Sequence, residues 1–175
     1  MATEQQESWL KWVALTTTIL AVCAAIGSLK GSSYSTRVQI LTTQESNQWA
    51  YFQSKSIKQH LYETKRDMFD LELMKPQEAQ VKEVLAAKRT QTDEAIKRYV
   101  TEQAEIKAKA EMLNKDQAGF KVHGASFGMS VMFFQIAIML SAIGSLMKKK
   151  YSWITGLVMG AIGLLYFVNG FLTFF

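Results

Sequence analysis

Leu71-Glu72-Leu73-Met74-Lys75-Pro76-Gln77-Glu78-Ala79 carries the only proline of the chain, Pro76. It sits midway along a polar, helix-prone stretch from Lys30 to Lys121. At 1.5 Å per residue, about 45 residues on either side make two helical arms of roughly 65–70 Å. Proline suits the first position of a new helix, and Glu78 suits its first turn. Two equal arms that fold back over 75–78 return the chain to the surface it left. Apolar segments flank the stretch at both ends. The expected fold is an all-α membrane protein: three transmembrane helices, with a long antiparallel helical (coiled-coil) hairpin between the first and second.

The segments follow from hydropathy. The first transmembrane helix is placed at 9–29, the hairpin at 30–123, the second transmembrane helix at 124–147 and the third at 151–175. Trp9, Trp12, Tyr151 and Trp153 fit interfacial belts. A cleaved leader is the competing reading of the first segment. It fits poorly, because Glu4 and Glu7 precede Lys11, and Val22 suits a lipoprotein box badly before Cys23. Gly119, Gly124 and Gly128 are expected to loosen the helix where it re-enters the membrane.

Charge excludes one class of partner. The net charge is +5 over 175 residues, and Lys30 to His123 holds 16 basic and 13 acidic residues. The signs are interspersed, as on a solvated helix face, so no nucleic-acid partner is expected. Cys23 is the one cysteine, so no internal disulfide forms.

The two arms differ. In the second, Leu85, Thr92, Tyr99, Ile106, Leu113 and Phe120 recur every seven residues, with Ile96, Gln103 and Ala110 between them. That is one narrow coiled-coil stripe, weakened by Thr92 and Gln103. In the first arm, Val38, Leu41, Trp49 and Phe52 share one face. Ile57, Leu61, Met68 and Leu71 share a second, and Ile40, Tyr51 and Phe69 make a third line. This exceeds what one partner helix covers.

Trp49, Tyr51, Phe52 and Ile57 are the candidate interaction residues, for an oligomer or another protein partner. Plain helix packing explains the aromatics as well. Gly156, Gly160, Gly163 and Gly170 form a smooth stripe in the third span, with a GxxxG match at 156–160. Packing among one chain's own spans and dimerisation both fit it. His60 and His123 lie far apart, and no cluster has metal-ligand spacing. No nucleophile–base pair or carboxylate dyad can be placed either. No catalytic residue, cofactor or metal is expected, and the chain is read as not an enzyme.

Ser46-Asn47-Gln48-Trp49-Ala50-Tyr51-Phe52-Gln53-Ser54-Lys55-Ser56-Ile57-Lys58-Gln59-His60 resembles the signature stretch of an uncharacterised bacterial inner-membrane family, a domain of unknown function. Leu29-Lys30-Gly31-Ser32-Ser33-Tyr34-Ser35-Thr36-Arg37 and the plan of one span, a helical loop and two spans resemble it too. The resemblance implies a multi-pass protein of the bacterial inner membrane. It implies no reaction or ligand.

Membrane lipid is the expected environment. Lys148, Lys149 and Lys150, in the short loop between the last two spans, favour a cytoplasmic loop and a periplasmic hairpin, whereas Lys30 and Arg37 argue the other way for the first span; the short loop is given the greater weight because long loops translocate largely regardless of charge. The unequal arms point to a homo-oligomeric scaffold presenting a rigid hairpin. The alternative is a channel or transport component with a pore between subunits. Gln135 and Asn169 are its only polar support, since the spans carry no charge beyond Lys11 at the edge of the first.

Overall fold

The computed structural model describes residues 2–76 and 78–174, with side chains from Trp9 onward. The chain is all-α: α1 spans Ala2–Leu73, α2 spans Ala79–Leu146 and α3 spans Lys150–Leu172. None of the described residues is in a strand. Each helix contains a segment long and apolar enough to cross a membrane, with mean hydropathy of 1.9, 1.9 and 1.7.

Local chemistry sets the breaks. α1 stops before Pro76, which offers no N–H and disfavours helix in the residue before it. Lys75 N donates to Glu72 O, and Val81 N and Lys82 N donate to Glu78 O as α2 begins. Between α2 and α3, Lys148 takes a left-handed conformation with φ 54. The loop closes by Lys149 N donating to Gly144 O at 3.0 Å. α3 ends at Thr173, also left-handed, whose N–H donates to Asn169 O at 2.7 Å.

Two compact units result. The first comprises Met1–Gln39 with Gln117–Phe175, and the second is Ile40–Asp116. The first unit joins the N-terminal part of α1, the C-terminal part of α2 and all of α3. Phe127, Phe134 and Ala137 are fully buried there, and Leu20 and Val13 nearly so. Small residues let these helices approach. α2 runs unbroken through Gly119, Gly124 and Gly128, where a loosened helix was expected from the sequence. Glycine costs a helix about 1 kcal/mol relative to alanine, which is too little to open a long helix held by its neighbours. Gly124 lies against Tyr34 Cβ, and Gly31 against Phe127 Cβ.

The second unit pairs the remaining halves of α1 and α2. Asn114 bonds Glu45, Gln103 bonds Gln59, and Arg89 bonds Asp70. Partner numbers fall on α2 as they rise on α1, so the two stretches run in opposite directions. On α2 the covered line is Thr92, Tyr99, Ile106 and Ala110, all buried. Ile96 and Gln103 between them are half-buried. This is the seven-residue stripe read from the sequence.

Candidate functional site

The face that α1 turns to α2 is built largely from polar side chains. Phe52, Lys55, Gln59, Tyr62, Arg66 and Phe69 are half-buried at alternating three- and four-residue steps, the spacing of a coiled-coil seam. Lys55 crosses that seam. Its ammonium lies 2.7 Å from Glu102 Oε2 and sits over the rings of Tyr51 and Tyr99 at 5.1 and 5.5 Å. The Glu102 contact is close but poorly directed, since Oε2 is buried without a well-aligned hydrogen bond. The bond from Gln103 Nε2 to Gln59 Oε1, at 2.5 Å, ties the next layer. The Tyr62 and Tyr99 rings meet at 5.6 Å.

Ion pairs line this unit. The Lys55 ammonium holds the Glu102 carboxyl below the usual glutamate range, and Glu102 in turn raises Lys55. A hydrogen bond from Gln59, then one from His60, lowers Glu63. Asp67 raises Arg66, and Asp70 raises Arg89. All are solvent-screened, so each contributes little to stability.

The apolar residues of α1 lie elsewhere. Ile57, Leu61, Met68 and Leu71 are 64–69% exposed. At about 100° per residue they sit roughly opposite the seam with α2. They form one contiguous row. Ile40 and Tyr51 are exposed as well. Phe52 is on the seam, while Trp49 stands at its edge, 36% exposed, packed edge-on against Phe52 at 5.7 Å. Trp49 Nε1 donates to Glu45 Oε1 at 3.3 Å. The four residues singled out from the sequence are therefore dispersed: Phe52 inward, Trp49 beside it, Tyr51 under Lys55, and Ile57 on the outer row. On one side of the seam lies a groove of about 650 Å³, with Tyr62, Phe69 and Thr92 along it and Lys65, Lys88 and Arg98 at its rim.

The glycine stripe of α3 meets the chain's own helices. A Cβ on Gly156 would lie 2.7 Å from Ser141 Oγ and 2.9 Å from Ala137 O. One on Gly163 would lie 2.7 Å from the Phe134 ring, and one on Gly170 3.0 Å from Phe127. Gly160 faces the end of the Leu20 side chain at 3.1 Å. The polar residues here are mostly engaged. Asn169 Nδ2 donates to Ser126 Oγ, and Asn169 Oδ1 accepts from Phe174 N. Trp153 Nε1 donates to Thr16 Oγ1, and Thr16, Thr17 and Thr18 donate back to carbonyls of their own helix. Gln135 is exposed on α2.

The histidines occupy separate settings. His60 bonds Glu63 at 2.9 Å, and His123 stacks on Tyr34 while bonding the Gly170 carbonyl at 2.8 Å. Among the described residues, no three His, Cys, Asp or Glu side chains are grouped to hold a metal ion.

A family model described as a domain of unknown function, DUF4337, matches residues 9–173. No curated protein matches the chain. No solved structure matches it. The family match spans nearly all of the sequence, and the chain belongs to that family.

Proposed function

We propose that this member of the DUF4337 family is a multi-pass protein of the bacterial inner membrane with a structural or interaction role. It is a homo-oligomeric scaffold. Its three apolar helical segments sit in the bilayer, and residues 40–116 form a rigid antiparallel hairpin on the periplasmic side. The observation that carries this reading is the uncovered apolar row on α1. A helix in water that turns a polar face to its own partner and an apolar one outward is presenting an interaction surface. The bilayer placement is supported by the hydropathy of the three segments and by their packing through small residues. Lys148, Lys149 and Lys150 support the choice of side.

Cysteines introduced at Lys75 and Lys149, on a Cys23→Ser background, test the topology in intact cells with an impermeant thiol reagent. Residue 75 is expected to react and residue 149 to stay protected. The reverse pattern would overturn the assignment.

A channel or transport component remains the second reading because Gln135, a polar residue within an apolar segment, faces outward from its unit. A pore between subunits would place it on the lining. Purified protein in planar bilayers is expected to give no discrete conductance. Unitary currents abolished by Gln135→Leu would favour the channel.

A further inference from the structure

We propose that the first unit holds one anionic phospholipid where α1 meets α3, with the phosphate at Lys148, Lys149 and Lys150 and an acyl chain in the cleft below them. The proposal rests on the bilayer reading above and names the lipid class and its site. Charge is the first observation. The sequence has no Asp or Glu from Ser8 to Gln39 or from Gln117 to Phe175. Lys148, Lys149 and Lys150 are exposed, and the ion pairs among the described residues involve none of them. With Tyr151 and Ile154 they wall an open hollow of about 690 Å³. Lys11 stands at the same end of the unit, because Trp9 packs on Trp153 at 6.2 Å. Glu4 and Glu7 precede it in sequence, and the four lysines exceed these two carboxylates. Crowded like charges of this kind favour an anion from outside the chain, and at a bilayer surface the concentrated anion is the lipid phosphate.

Shape selects a lipid over a free anion. Lys150, Ile154, Leu157, Ala161 and Leu164 step by four, three, four and three residues. At 100° per residue they keep to one face of α3. The first two line the basic hollow. The last three line a second cleft, of about 220 Å³, whose other wall is Ile19 and Leu20 of α1, with Gly160 between the walls. The Thr16 hydroxyl borders this cleft, but it is engaged by Trp153 Nε1 and by carbonyls of its own helix. The cleft is otherwise apolar, and the same face of α3 joins it to the lysines. Lys150 to Leu164 is about 21 Å along the helix. That is roughly half of a bilayer about 40–45 Å thick, the reach of one lipid from headgroup to chain end. A free phosphate would use only the top of this face.

Native mass spectrometry of the full-length protein in detergent, with phosphatidylglycerol or phosphatidylcholine added at equal concentration, tests this. Wild type is expected to retain phosphatidylglycerol about tenfold over phosphatidylcholine. Lys148→Gln with Lys149→Gln and Lys150→Gln should bring that ratio below about threefold, with helix content kept because all three side chains are exposed. Ala161→Phe, at an exposed position along the cleft, should cut phosphatidylglycerol retention about fivefold by filling the space for the chain. Met139→Phe, exposed on α2 and outside the cleft, should leave retention unchanged. Equal retention of the two lipids by wild type, or an unchanged ratio in the triple variant, overturns the proposal and leaves the bilayer reading intact. Retention in Ala161→Phe equal to that in Met139→Phe overturns the cleft as the place of the chain. A wild-type protein that stays in solution without detergent overturns the bilayer reading and the proposal with it.

Discussion

The two units hold helices together by opposite means. In the unit of residues 1–39 and 117–175, glycines and serines bring backbones close and aromatic rings fill what remains: Phe127 packs edge-on against Phe167 and Phe171 at 5.8 and 4.9 Å. Residues 40–116 hold all the ion pairs found among the described residues. Their helices meet through Lys55, Gln59, Gln103 and the tilted ring pair of Tyr62 and Tyr99. The proposed membrane placement would account for the contrast through solvent. Where the surroundings are as apolar as the side chains, burying leucine gains nothing, and close steric fit supplies the attraction. Where the surroundings are water, apolar burial is the main driving force. Yet the second unit places much of its apolar surface outside its own seam. That unit has apolar surface left to bury.

The largest expected effect lies in the first unit. Gly156→Leu should abolish folding, because even a Cβ there meets the Ala137 carbonyl at 2.9 Å, and backbone cannot yield as a side chain can. Gly160→Leu should be milder, since its neighbour is the movable end of Leu20. Size-exclusion profiles in detergent check both. Equal behaviour of the two variants would deny that backbone contact sets the hierarchy.

Next comes the aromatic core. Phe134 is fully buried, and Phe134→Ala should cost about 3–5 kcal/mol. Phe52, half-buried on the polar seam, should cost less than half as much in the isolated subunit. Thermal unfolding followed by circular dichroism measures each. A Phe52→Ala loss as large as that of Phe134→Ala would mean that the seam is a true core.

A smaller effect tests the polar seam directly. Gln59 and Gln103 bond each other, so Gln103→Leu alone leaves Gln59 without that partner, at a cost of about 1 kcal/mol or more. Replacing both with leucine should recover most of that loss, because the apolar pair leaves neither amide unsatisfied across the seam, and what is not recovered reflects the bond that Gln59 also gives to Glu63. A double variant no better than the single would show that the bond is not shared.

Sequence patterning made the three helices, the break at Pro76 and the stripe on α2 legible, because each has a strong local cause. Proline removes a donor, and a seven-residue repeat aligns Leu85 through Phe120. The face of α1 that α2 covers was not legible. Apolarity ranks Ile57, Leu61, Met68 and Leu71 first, whereas α2 lies on Lys55, Gln59 and Tyr62. Hydropathy misses such a seam because Lys55 buries its aliphatic stem and satisfies its head with a carboxylate and two rings. The repeat itself held the signal. From Phe52 to Phe69 the heptad phase is continuous through the polar residues, and reading phase before polarity would have found it. In α3, the glycine spacing marked the close face, but only the geometry assigns Ser141, Leu20, Phe134 and Phe127 as its neighbours.

The smallest effect concerns pH, and its sign follows from the pairs. Glu102 and Glu63 are held below the usual glutamate range in the folded chain. A depressed carboxyl adds stability above its unfolded pKa and loses it as pH falls through the folded value. Lys55 is raised, so its share is present below the usual lysine range and is lost only in strong alkali. Between those limits the contribution is flat. Glu102→Gln should therefore lower the unfolding midpoint slightly at neutral pH, and the gap from wild type should close as pH falls through and below the usual glutamate range. Added salt should narrow the same gap, because both partners are partly exposed. A gap that survives acid would mean that Glu102 acts through packing and not through its charge, and the seam of residues 40–116 would then be closer in kind to the dry packing of the first unit.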